Sequence, residues 1–264
     1  MPSEPLIVAN ASGFYGDRFT APEDVLRGGP VHVITGDYLA ELTMAILHRA
    51  RLKDARLGYA TTFLAQLERI LGECLERGVR VVTNAGGLNP RGLAAAVGAL
   101  AGKLGLSPRV AVVEGDDITA RIGALEAAGE PLAHLDRGAS LRDARDVGAR
   151  VVAASAYLGG WGIREALARG ADIVICGRVA DAALVLGPAA HHFGWARDDW
   201  DRLAGVVAAG HILDHELPNL RALNFVICGL LGDGVGASAR VDPQAKTLSE
   251  LFRARIVEIP RSLL

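Results

Sequence analysis

The segment that most constrains the fold of this chain is residues 79–92, where a short β-branched run meets a glycine-rich loop. Val79, Val81 and Val82 predict a strand of a parallel sheet that is buried on both faces. Pro90 suits the first turn of a helix, because its missing N–H would have no helical partner there. A strand, a loop and a helix in succession form the repeating unit of an α/β sheet, whose ligands bind where the strands end.

The loop after this strand has two interpretations. Backbone N–H groups at a helix start favour an anion, which makes four loop residues candidates for binding one: Asn84, Gly86, Gly87 and Asn89. A tight turn requires glycine equally when nothing binds. The segment is not GxGxxG, and no Gly-Lys-Ser/Thr follows, so no motif indicates a nicotinamide dinucleotide or ATP.

Five further apolar runs alternate with helical patterns in the first 213 residues: Leu6–Ala9, Val31–Thr35, Arg109–Val113, Arg150–Ala156 and Asp172–Cys176. This alternation predicts an α/β fold with a mostly parallel, doubly wound sheet, and a closed eight-stranded barrel is the alternative. After about residue 213 the pieces are shorter and end in a strand at Ile256–Ile259. We therefore predict an α/β domain over 1–213 and a short α+β remnant over 214–264.

Composition excludes several classes of function. The net charge of −2 favours neither nucleic acid nor an anionic membrane, and an aromatic content of 5% is low for a base-stacking surface. No stretch reaches the roughly 18 apolar residues of a membrane span, and the first residues lack the pattern of a signal peptide. The 3 cysteines, Cys74, Cys176 and Cys228, are sparse and odd in number, which predicts a cytoplasmic protein with reduced thiols.

Acidic residues follow several of the predicted strands. Asp37, Asp116 and Asp117 are the candidate catalytic residues, because the carboxyl ends of parallel strands meet at one edge of the sheet. Several carboxylates there could hold Mg²⁺, or two could divide the acid and base roles. The alternative is that each aspartate caps the helix that follows it. No set of metal ligands is identified.

Arg178 and Asp181 follow the sixth predicted strand. A guanidinium can clamp a carboxylate or a phosphate with two hydrogen bonds, which makes Arg178 a candidate anion-binding residue and Asp181 its neighbour in the site. The alternative is a structural ion pair between the two residues across one helical turn.

Five motifs in this order resemble the acyclic terpene utilisation family, the AtuA-like proteins: Asn10–Arg18, Thr35–Glu41, Asn84–Pro90, Gly115–Asp117 and Gly177–Asp181. The resemblance covers about residues 5–213. It implies a bacterial, cytoplasmic protein that takes part in the breakdown of citronellol- and geraniol-type acids as CoA thioesters.

The resemblance changes after His211. The family's first domain is longer, whereas Leu217–Phe225 is similar to its small C-terminal ferredoxin-like domain. This implies a truncated chain in which the head of one domain joins the tail of another, with the middle missing near Leu213–Glu216. Strands without partners bury too little apolar area to be stable alone, so they must dock on the α/β domain, pair with another copy or remain loosely ordered. We expect pairing between copies, a homo-oligomer, because Phe225–Ile227 would otherwise face water.

Two functional hypotheses follow, and whether the chain is an enzyme is left open. In the first, it acts on a branched acyl substrate such as a CoA thioester. Asn84, Gly86 and Gly87 would bind an anionic group, Arg178 would clamp a carboxylate or phosphate, and Asp37 with Asp116 or Asp117 would supply acid–base or Mg²⁺ chemistry. In the second, the chain is a non-catalytic subunit or an inactive remnant that binds a partner through its sheet edge.

Overall fold

The described part of the chain forms one six-stranded sheet with helices on both faces. The computed structural model describes residues 5–130, 132–134, 138–146, 150–214 and 256–259 of the 264-residue chain. The strands are β1 Leu6–Asn10, β2 Val33–Gly36, β3 Arg80–Thr83, β4 Val110–Val113, β5 Ile173–Cys176 and β6 Ile256–Ile259. The helices are α1 Ala21–Gly28, α2 Glu41–Lys53, α3 Thr61–Arg77, α4 Pro90–Lys103, α5 Ile122–Ala127, α6 Leu141–Asp146, α7 Trp161–Ala168, α8 Ala183–His192 and α9 Trp200–Asp214.

The sheet is mostly parallel, as the sequence predicts. Its strand order is β4-β5-β3-β2-β1-β6, in which β1 to β5 run parallel to their neighbours and β6 runs antiparallel to β1. Successive side chains point to opposite faces of each strand. In β3, Val81 packs into the core on one face and Val82 into the core on the other. The α/β class is confirmed, and the sheet is open rather than a closed barrel.

The order of the strands explains why the sheet is doubly wound. The chain moves in one direction from β1 to β4, and right-handed crossovers then place α1, α3 and α4 on one face. From β4 to β5 the direction reverses, which puts α7 and the following α8 on the other face. The helices that leave β3 and β5 therefore diverge, and a crevice opens between the ends of these neighbouring strands.

Two local predictions were wrong. Arg150–Ala156 is not a strand: it lies beside the loop after β4, to which it is joined by a bridge between Ser155 and Asp117. The segment has a strand-like composition, but the segment beside it is an irregular loop. A continuous ladder of strand hydrogen bonds therefore does not form. The spacing of Leu39, Leu42, Ile46 and Ala50 predicts that they share the buried face of the helix after β2. In α2, however, Leu42 is 73% exposed while Leu47 is buried. The apolar residues of this helix are spread around its circumference, so the sequence pattern alone does not identify its buried face.

The strand predicted at Ile256–Ile259 is confirmed, and it docks within the chain. It pairs antiparallel with β1, in the register Leu6 opposite Ile259. For these four residues the docking alternative holds. Phe225–Ile227 lie outside the described residues, and pairing between copies stays a prediction. Among the described helices, none has both the length and the hydrophobicity of a transmembrane span.

Candidate functional site at the carboxyl edge of the sheet

The loops after β3 and β5 meet at the crevice between these strands. Gly86 lies against the carbonyl oxygen of Cys176 and the ring of Pro90, and an added methyl group would overlap both. Gly87 has a φ of +50°, in the left-handed region that favours glycine. Gly86 therefore permits a close approach and Gly87 an unusual backbone conformation, and alanine would fit poorly at either position.

The loop uses much of its own hydrogen-bonding capacity. The N–H of Ala85 donates to Thr83 Oγ1 over 3.0 Å, and the N–H of Leu88 donates to the carbonyl of Gly58 over 2.8 Å. Asn89 caps α4, because its Oδ1 accepts from the N–H of Gly92 over 2.9 Å. These groups hold the loop in shape rather than pointing at a ligand, and anion binding by the loop remains a prediction.

Asp37 and Asn84 join the ends of the neighbouring strands β2 and β3. Asn84 Nδ2 donates to Asp37 Oδ1 over 2.6 Å, and Asn84 Oδ1 accepts from the N–H of Tyr38 over 2.8 Å. Asp37 Oδ1 also accepts from the N–H of Leu39 over 2.9 Å, in the loop before α2. Asp37 is only 2% exposed, and its Oδ2 has no hydrogen-bond partner among the described residues. It does not cap α2, which begins at Glu41 after Ala40.

Two further carboxylates lie beside Asp37. One carboxylate oxygen of Asp181, from the loop after β5, and one of Asp214, at the end of α9, lie with one of Asp37 within 4.8 Å of one another. Burial is the main cause that raises the pKa of Asp37 to about 7, and the charge of Asp214 is the next. Hydrogen bonds from Asn84 and Leu39 act in the opposite direction. A carboxyl group with a pKa in this range suits proton transfer near neutral pH.

Asp214 is the site residue that the sequence analysis missed. It lies in the last turn of α9, whose end packs against the loop after β1 near Gly13. Asn10 Nδ2 donates to the Leu213 carbonyl over 3.3 Å and to Asp214 Oδ1 over 3.4 Å. A carboxylate at a helix C-terminus is disfavoured by the helix dipole, and that unfavourable position is the one local signal of a special role.

Arg178 is buried in the crevice and binds groups on three sides. Its Nη1 donates to the carbonyl of Leu39 over 2.8 Å, and its Nη2 donates to the hydroxyl of Tyr157 over 2.6 Å. The guanidinium lies 4.3 Å from the centroid of the Tyr157 ring. Its ion pair is with Glu41, at 3.5 Å, and not with Asp181. The alternative of a structural Arg178–Asp181 pair is therefore wrong.

Asp116 and Asp117 have separate positions. Asp116 Oδ2 accepts from the N–H of Arg178 over 2.7 Å, so this buried carboxylate supports the loop after β5. Burial raises its pKa. Asp117 is exposed, and its Oδ1 accepts from the N–H of Thr119 over 2.9 Å in a local turn. The structure groups Asp37 with Asp181 and Asp214, and the catalytic roles of Asp116 and Asp117 remain untested predictions.

The cysteines behave as core residues where the structure describes them. Cys74 and Cys176 are buried and unpaired, and burial raises the pKa of the Cys74 thiol to about 12. Burial also raises the pKa of Cys176, beside the charge of Asp116. Neither thiol has the lowered pKa of a nucleophile.

Two models of known protein families match the chain. The family model described as "Acyclic terpene utilisation family protein AtuA" matches residues 6–215, which include every candidate residue named above. A second model, the "AtuA ferredoxin-like domain", matches residues 192–258. The two matches overlap over 192–215, so a boundary after residue 213 stays a prediction, as does a missing middle. No curated protein and no solved structure matches the chain.

Proposed function

The chain belongs to the acyclic terpene utilisation family AtuA, and from that premise we propose that it acts on branched acyclic acids of the citronellol and geraniol type, as their CoA thioesters. Family membership gives it a role in acyclic terpene utilisation. The finer proposal is that the crevice between β3 and β5 binds the anionic part of such a thioester through Arg178. The observation that carries it is that this buried arginine forms its ion pair with an exposed glutamate, Glu41.

Arg178 is a buried cation whose carboxylate partner is a surface residue. The side chain of Arg178 is 7% exposed, whereas that of Glu41 is 83% exposed and lies 3.5 Å away. Burying a charge is costly unless it is well paired and hydrogen-bonded, and an exposed partner at this distance compensates that cost poorly. A carboxylate or phosphate oxygen of a ligand can displace Glu41 and form the closer pair.

The carboxylate cluster lies close to this anion-binding position. The backbone of Leu39 accepts from the guanidinium of Arg178 and donates to the carboxylate of Asp37. One residue therefore links the group proposed to anchor the substrate to the group proposed to act on it. Arg178 acts as a binding residue, and Asp37 is the proposed catalytic residue.

Isothermal titration calorimetry tests the proposal with three ligands: geranoyl-CoA, free geranic acid and CoA alone. We expect geranoyl-CoA to bind, and Arg178→Met to weaken its binding at least about tenfold, the size expected for a hydrogen bond to a charged group. Binding by CoA alone would identify a phosphate as the anchored group, whereas binding by the free acid would identify a carboxylate.

Two variants make the calorimetric test specific. Arg178→Lys keeps the charge but loses the fork of donors, and we expect intermediate affinity if the fold is intact by circular dichroism. Arg169→Met is the matched control, because Arg169 is 78% exposed and pairs with Glu165 within α7. Equal affinity of wild type, Arg178→Met and Arg169→Met would exclude the proposed role of Arg178.

A non-catalytic subunit is the second candidate function, favoured by apolar side chains on the surface of α2. Leu42 and Leu52 are 73% and 74% exposed, an arrangement that a partner protein could cover. Light scattering of the purified chain separates the candidates. Self-association that Leu42→Gln with Leu52→Gln abolishes, together with no affinity for any of the three ligands, would favour the subunit.

We also propose a cytoplasmic location, which the state of the described thiols supports. Cys74 and Cys176 are both buried and unpaired, as in proteins of reducing compartments. Fractionation of cells that express the full-length protein is the corresponding test.

A further inference from the structure

We propose that Asp37, Asp181 and Asp214 bind a hard divalent cation, of the class of Mg²⁺, Mn²⁺ and Ca²⁺. The three carboxylates reach one point from three parts of the fold: the loop after β2, the loop after β5 and the end of α9. This proposal does not rest on the proposed substrate, because cation binding is measured without any acyl ligand.

An unpartnered oxygen points to a ligand at this position. Asp37 is 2% exposed, and its Oδ1 already accepts hydrogen bonds from Asn84 and Leu39. Its Oδ2 is buried and has no hydrogen-bond partner among the described residues. A buried polar atom without a partner is costly, and a cation bound by this oxygen would remove that cost.

Buried amides orient two of the three carboxylates. Asn84, which is fully buried, donates to Asp37 Oδ1 over 2.6 Å. Asn10, 3% exposed, donates to Asp214 Oδ1 over 3.4 Å and is itself held by Thr35, whose hydroxyl donates to Asn10 Oδ1 over 3.2 Å. Each amide holds one oxygen of a carboxylate, and hydrogen bonds to the ligating carboxylates are the usual arrangement around a metal site.

The dimensions and the charge suit a hard dication. Ligand oxygens on opposite sides of an ion lie about 4 Å apart for Mg²⁺ and up to about 5 Å apart for Ca²⁺. One oxygen from each of the three carboxylates lies within 4.8 Å of the other two, inside the range that such an ion spans. All the proposed protein ligands are carboxylates, which these cations prefer over thiolate or imidazole. Two positive charges also offset the mutual repulsion of Asp37, Asp181 and Asp214.

Binding of Mn²⁺ followed by electron paramagnetic resonance tests the site, with the full chain freed of metal by EDTA and dialysis. We expect one bound Mn²⁺ per chain, displaced by excess Mg²⁺ or Ca²⁺. Asp181→Asn and Asp214→Asn should each weaken binding at least about tenfold, since even residues that only orient metal ligands have effects of that size. Circular dichroism confirms that each variant is folded.

Asp143→Asn is the matched control, because Asp143 is an exposed carboxylate that accepts a hydrogen bond from the N–H of Ser140 in a local turn, and it should leave Mn²⁺ binding unchanged. If either ligand variant fails to fold, Asp37→Asn replaces it, since the asparagine retains an oxygen for the hydrogen bonds from Asn84 and Leu39. Absence of Mn²⁺ binding at millimolar concentration, or equal binding by the ligand variants and the control, would overturn the proposal.

Discussion

Gly86 lies directly against the carbonyl group of Cys176, so the loop after β3 meets the end of β5 through a residue without a side chain. The contact occurs where the helices after β3 and β5 leave to opposite faces of the sheet. It keeps together the two loops that carry Asn84 on one side and Arg178 on the other. The geometry of the crevice therefore depends on a glycine at this position.

Replacing either loop glycine with alanine should destabilise the protein. A methyl group at Gly86 would overlap the Cys176 carbonyl, and at Gly87 it would overlap the side chain of Leu47 while φ is +50°. We expect Gly86→Ala and Gly87→Ala each to lower the free energy of unfolding by about 1 kcal/mol or more. Urea denaturation followed by circular dichroism measures both changes.

Gly98→Ala is the control for this pair, because Gly98 lies inside α4 and no atom is within 4 Å of the position of an added Cβ. Alanine there should raise the free energy of unfolding by about 0.5–1 kcal/mol through helix propensity. Loop variants as stable as the wild type would show that neither glycine is required.

Neutralising Glu41 should strengthen anion binding. Glu41→Gln removes the charge that competes for Arg178 but keeps an oxygen able to accept from Tyr157. We expect a several-fold lower dissociation constant for geranoyl-CoA in calorimetry, a modest effect because exposed ion pairs contribute up to about 1 kcal/mol. The control Glu76→Gln changes an exposed glutamate on α3. Weaker binding by Glu41→Gln would mean that Glu41 assists the ligand.

Asp116 should make the protein less stable as pH rises above the ordinary pKa of an aspartate. Burial raises its pKa above 3.8, so the folded state holds the proton more tightly than the unfolded state does. Its contribution to stability is present below pH 3.8 and is lost as pH rises through the folded pKa. Asp116→Asn lacks this titration, and its free energy of unfolding should decrease less than that of the wild type between pH 4 and 7. Parallel pH profiles in urea denaturation would contradict this.

The pairing of β6 with β1 should protect both strands from hydrogen exchange. Val257 lies opposite Val8 in the antiparallel register. Val257→Pro should disrupt the pairing, because proline has no N–H to donate and fits poorly in a ladder. Exchange measured by mass spectrometry should then increase in β1, while the central strands β3 and β5 remain protected. Unchanged exchange in β1 would show that β6 does not cover this edge in solution.

Much of the sheet is predictable from the sequence because buried parallel strands are local features. Val81 and Val82 lie in a short β-branched run, and the glycines and Pro90 that follow mark the loop and the helix start. The stripe on α3 that includes Phe63 and Leu67 is buried as its helical spacing predicts. In these segments local propensity and tertiary packing favour the same structure.

The remaining features depend on contacts between distant residues. Arg150–Ala156 has a strand-like composition, but it lies beside an irregular loop. Asp214 joins Asp37 only because α9 packs across the end of β1, and the two residues are 177 positions apart in the chain. Likewise, the partner of Arg178 is Glu41 rather than its near neighbour Asp181, because the loop after β5 faces the start of α2. No local pattern in the sequence indicates these pairings.

A crystal structure of the chain with geranoyl-CoA would test most directly whether the crevice between β3 and β5 is the functional site. We predict that a carbonyl or phosphate oxygen of the ligand lies about 3 Å from a guanidinium nitrogen of Arg178, with Glu41 displaced from its present position at 3.5 Å. A ligand bound away from the loops after β3 and β5, with the pair between Arg178 and Glu41 intact, would contradict the proposed site.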